Sequence, residues 1–100
     1  FIMRDTLFCI VRETNFEEAK NEEFFLSGLL TGSPTLSTKN GNFPFEKISE
    51  TSTLLAVGHV ATLTGSTDII TVFKNTGVFE REAKGTFLGA YSYWYKGDCQ

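Results

Sequence analysis

One histidine, two cysteines, two prolines and one methionine in 100 residues leave most site chemistries without their ingredients. A lone histidine, with no Cys-x-x-Cys pair, cannot assemble a zinc or dithiol redox motif. There is no Gly-x-Ser-x-Gly elbow and no Asn-x-Ser/Thr acceptor, and the glycines are spread through turns instead of gathered into a phosphate loop. No catalytic residue, metal or cofactor is therefore assigned. Nine Lys and Arg against twelve Asp and Glu give a net charge of -3, and the bases are scattered, which argues against a nucleic-acid partner. The longest apolar runs, such as 6–11 and 54–57, are far too short to span a bilayer. No charged-then-apolar leader precedes them, and the start at Phe1 reads as that of a processed or excised product.

What the chain has is aromatic bulk: ten Phe, three Tyr and one Trp. Such side chains fit a half-buried pleated surface better than a helix bundle. A chain of this length makes one domain, residues 1–100. Residues 4–12 read as a first strand, with Leu7, Cys9 and Val11 on one face and Phe8 and Ile10 on the other. Asn15 with Glu18 three residues on has the form of a capping box, which predicts a short helix over residues 16–21. The acidic run around it is either a solvated face or a seat for a cation or basic partner.

Residues 23–31 then read as a buried strand. Asn40-Gly41 signals a hairpin that sets Leu36 opposite Phe45, with Pro44 marking an edge or bulge. Gly65-Ser66 signals a second hairpin, whose two-residue turn places His59 opposite Val72 and Ala61 opposite Ile70. A turn at 83–85 leads into a last strand over 86–95. The sum is an all-β antiparallel meander closed into a small up-and-down barrel, with a two-sheet sandwich as the alternative. Closure brings the first and last strands together, and with them Cys9 and Cys99. These two either form a disulfide spanning nearly the whole chain or remain a buried thiol and a tail thiol.

Two groups are candidates for binding. His59 shares a face with Leu55, Val57, Ala61, Ile70 and Val72, as a satisfied core residue or as the polar group of an apolar cavity. On the last strand Phe87, Tyr91, Tyr93 and Tyr95 alternate on one face and Trp94 lies on the other, a pattern that serves either packing or the recognition of a planar ligand or partner. Glu80 and Glu82 flank Arg81 as an exposed alternating-charge face or as an acid pair.

The stretch Gly58-His59-Val60-Ala61-Thr62-Leu63-Thr64-Gly65, then 72–79 with its Asn75-Thr76-Gly77-Val78-Phe79, then Lys84-Gly85-Thr86-Phe87, resembles the small calycin-type barrels related to allene oxide cyclase. That resemblance implies a barrel with an apolar lumen and carries over no catalytic residue. The expectation is a small soluble, non-enzymatic module that binds an apolar molecule or a protein partner. A cofactor-free isomerase or cyclase with His59 in its lumen is a second reading. A secreted effector-type or structural protein, stapled by its cysteines and capable of forming oligomers, is a third.

Overall fold

Alternation of apolar and polar side chains, broken by glycine-containing reversals, becomes nine antiparallel strands in a computed structural model that describes residues 1–100. They are β1 (Leu7–Thr14), β2 (Glu23–Ser27), β3 (Thr35–Thr38), β4 (Gly41–Pro44), β5 (Glu46–Glu50), β6 (Leu54–Ala61), β7 (Ser66–Phe73), β8 (Val78–Gly85) and β9 (Tyr91–Cys99). Their order in the sheet is β4-β3-β2-β1-β9-β8-β7-β6-β5. The two outermost strands are consecutive in sequence and separated by Phe45 alone. Residues 41–50 thus act as one bent strand whose first half pairs with β3 and second half with β6. The meander forms a nearly closed barrel, not a sandwich, and an edge that would otherwise invite pairing with another chain is largely removed. Pro44, which cannot donate to a ladder, sits where the pairing switches, and the Phe45 amide bonds instead to the Pro34 carbonyl at 2.9 Å.

The seam between β1 and β9 sets Cys9 directly opposite Cys99, and the two are joined by a disulfide. β1 carries a bulge at Arg12, between the Val11↔Gly97 and Glu13↔Lys96 pairs. Gly97 is required there, since a Cβ would run into the Ile10 carbonyl and the Phe79 ring. Arg12 pairs with Asp98 across the seam, and the Asn15 side chain spans it further on, donating to the Ser92 carbonyl and accepting from the Trp94 amide.

That use of Asn15 corrects the expected helix over 16–21. With its side chain committed to β9, Asn15 caps nothing. Only a 3-10 turn, Glu17–Ala19, forms before Asn21 reverses the chain at φ 69°.

Both hairpin registers also differ from expectation. His59 lies opposite Asp68, not Val72, and Ala61 opposite Ser66. The connection is a four-residue loop, 62–65, held by Thr64 Oγ1 against Ser66 Oγ at 3.0 Å. Leu36 faces Phe43, because the turn uses Lys39-Asn40 and leaves Gly41 in the first pair. Both slips are even-numbered, so every side chain keeps the face that its parity gave it.

One face of every strand fills the barrel. Leu7, Cys9, Leu26, Leu36, Leu55, Val57, Ile70, Val72 and Phe79 are essentially sealed from water, each of the larger ones contributing about 1.5–3 kcal/mol by burial. Beyond this closed core a clip of ions holds the β5–β6 connection. Glu50 binds Lys47 at 2.9 Å and Lys74 at 2.7 Å, and Lys74 also donates to the Thr51 carbonyl.

The hydrogen bond from Lys74, then that from Lys47, lowers the Glu50 pKa from 4.5 to about 2. A carboxylate that resists protonation only when folded adds stability above pH 4.5 and loses it as pH falls toward 2. Glu50→Gln is therefore expected to flatten the acid limb of a stability-versus-pH curve in that window. An acid limb identical to that of the parent protein would contradict this.

Candidate functional site

The end of the barrel opposite the Glu50 clip is not filled. There the C-terminal parts of β1, β3, β6 and β8 meet the N-terminal parts of β2, β7 and β9, and the apolar interior gives way to a cavity of about 400 Å³. Its two walls differ in chemistry. The β1–β5 side presents the rings of Phe16, Phe24, Phe43 and Phe45 with Val11 and Leu36, together with the polar Glu22, Glu23, Thr38 and Asn40, whereas the β6–β9 side presents His59, Asp68, Arg81 and Tyr95.

Parity explains the polar wall. Asp68 continues the inward row of Ile70 and Val72, Arg81 follows Phe79, and Tyr95 precedes Gly97 and Cys99, one step past the sealed core in each case. Arg81 lies opposite Tyr95 across β8–β9. Its guanidinium grips Asp68 with two bonds, Nε to Oδ1 at 2.9 Å and Nη2 to Oδ2 at 2.6 Å. Both side chains are about four-fifths buried, at 18% and 22% exposure, so the paired geometry is what makes the charges tolerable there. The guanidinium also rests against the rings of Tyr95, at 5.1 Å, and Phe24, at 5.9 Å, an arrangement that adds cation–π attraction.

Burial raises the Tyr95 pKa above 10.0; the nearby Arg81 cation opposes this, and the Asp68 and Glu22 carboxylates reinforce it. At neutral pH its hydroxyl is a neutral donor and acceptor. At the rim Glu22 is paired with Lys39 at 3.2 Å.

His59 is at this mouth and exposed, not in the core, with its ring stacked 6.4 Å from that of Phe45. Of the other expected binding residues, the structure brings only Tyr95 into the cavity wall with it. Tyr93 points the same way as Tyr95 but is packed between Phe16, at 4.8 Å, and Tyr91, at 5.5 Å. Tyr91 in turn covers Gly85. Trp94 faces outward beneath Lys96, 5.6 Å from its ring, beside a groove that also involves Ile69, Thr71, Glu80 and Glu82 and reaches Arg81 and Tyr95.

Phe87 is not on the strand at all. β8 runs on to Gly85, and residues 86–90 form a loop through Leu88 at φ 60° and Gly89 at φ 114°, leaving Phe87 63% exposed. The other aromatics that build the cavity, Phe16, Phe24, Phe43 and Phe45, lie in the first half of the chain, and no expectation covers the Asp68–Arg81 pair. The signal for that pair was present: Arg81 shares the parity of buried Phe79, and Asp68 that of Ile70.

No group of three or more His, Cys, Asp or Glu side chains is placed to hold a metal ion, and no helix is long and apolar enough to cross a membrane. Comparison with protein-family models, with curated proteins and with solved structures finds no match.

Proposed function

We propose that this chain is a binding module that takes one small, largely apolar molecule into the mouth of its barrel. The observation that carries this reading is the 400 Å³ cavity between an aromatic wall and a short row of polar groups. Its volume lies at the lower end of the roughly 300–1,000 Å³ range of small-molecule sites, and an apolar surface with a few convergent polar groups is their usual composition. The cavity is walled by rings and alternating strand side chains on a closed sheet, so most of the site is formed before any ligand arrives, which limits the ordering cost of binding.

The test is a titration of the protein with acetonaphthone, a neutral bicyclic ketone, followed by amide chemical shifts. Saturable shifts at one-to-one stoichiometry are expected. Shifts that stay absent or rise without saturation up to the solubility limit, for acetonaphthone and for its hydrocarbon and charged analogues alike, would overturn the proposal.

A further inference from the structure

The buried charges of the cavity are already spent on one another, and this restricts what the site accepts. Asp68 takes two bonds from Arg81, and Glu22 at the rim is paired with Lys39, so the exposed Glu23 is the one carboxylate of the lining without an ion-pair partner. An anionic ligand would find Arg81 shielded by Asp68, and a cationic ligand would find Asp68 neutralised by Arg81. An anion would enter a ring-lined space with no free counter-charge, and a cation would meet only the exposed, water-screened Glu23 carboxylate, so either loses hydration with little return.

Uncharged hydrogen-bonding capacity is nevertheless left over on one wall. Arg81 uses Nε and Nη2 on Asp68, which leaves Nη1 without a partner. No buried side-chain polar atom of the protein lacks a partner, so Nη1 and the unbonded Tyr95 hydroxyl are reached by solvent, and both residues line the cavity. Both can donate. They stand on directly opposed residues of β8 and β9, facing the rings of Phe24 and Phe45 across the space.

From this we infer that the ligand is an uncharged ring compound bearing an oxygen acceptor, a ketone, aldehyde or phenol. Its oxygen is set on Arg81 Nη1 and the Tyr95 hydroxyl, and its ring lies against the aromatic wall. The inference rests on the binding role proposed above and adds the chemical class of what is bound. Tyr95 is the specificity residue, because a hydroxyl can be removed there without disturbing the ring that packs on Arg81.

A set of naphthalene derivatives separates the possibilities: acetonaphthone, naphthoate, naphthylethylamine in its protonated form, and ethylnaphthalene, titrated into the intact disulfide-bonded protein and into Tyr95→Phe. The ketone is expected to bind at least about tenfold more tightly than either ion. Tyr95→Phe is expected to weaken the ketone by roughly fivefold and to leave ethylnaphthalene unchanged, which also shows that the variant keeps its cavity. An ion that binds within about threefold of the ketone would overturn the inference while leaving the binding role standing. So would a Tyr95→Phe effect that is absent, or equal for ketone and hydrocarbon. If no member of the set binds the parent protein, the binding role fails and this inference with it.

Discussion

Replacing Cys9 and Cys99 together by Ser lowers the unfolding free energy by about 4–5 kcal/mol, the value expected when a loop of this length is opened in the chain-entropy account. The two residues are 90 positions apart, so the bond closes almost the entire chain and removes most of the end-to-end freedom of the unfolded state. The native seam does not depend on it alone. β1 and β9 are also paired through their backbones, through Arg12–Asp98 and through Asn15 with the Trp94 and Ser92 backbone. The reduced protein is therefore expected to fold into the same barrel with a melting temperature lower by roughly 16–40 °C, given about 4–8 °C per kcal/mol for a domain of this size. Thermal unfolding with and without reductant measures this, and a shift of only a few degrees would contradict it.

Phe79→Ala is expected to cost about 3–5 kcal/mol, the range for deleting a buried aromatic ring. Phe79 is fully buried, meets Phe24 edge-to-face at 5.1 Å, and packs over Gly97, which lies against the Ile10 carbonyl of β1. β2, β8 and β9 therefore lose a common contact at once. Denaturant unfolding at unchanged slope should show the loss, and a change below about 1 kcal/mol would mean that the core collapses around the gap. Because Phe24 is shared between this core and the cavity wall, the same substitution removes support from the floor of the site.

The barrel was legible because side-chain parity survives errors of register. Placing Gly65-Ser66 as a tight turn misaligned β6 and β7 by four residues, yet Leu55, Val57, Ile70 and Val72 still came out on one face and His59 with them. What parity cannot give is depth along the strand. His59 occupies the inward row but stands one step beyond the sealed core, where the same direction leads to the mouth.

Turn chemistry misled in the last hairpin. Ala83-Lys84-Gly85 has the composition of a reversal, but Gly85 is kept in the strand by the Tyr91 ring lying over it, and the chain turns later, at residues 86–90. That displacement took Phe87 out of the aromatic row. The aromatic wall itself escaped notice because its rings come from segments distant in sequence. Phe16 follows β1, Phe24 opens β2, and Phe45 sits at the bend between β4 and β5. Only closure of the sheet brings them to one end, and no local pattern announces that.

Resolving the acetonaphthone titration residue by residue tests the central claim most directly. Saturable shifts concentrated at Phe24, Phe45, His59 and Asp68, with Ile69, Trp94 and Lys96 on the outer face unmoved, are the result the cavity predicts. Shifts centred on Trp94 and its outer groove, with the mouth residues silent, would contradict it.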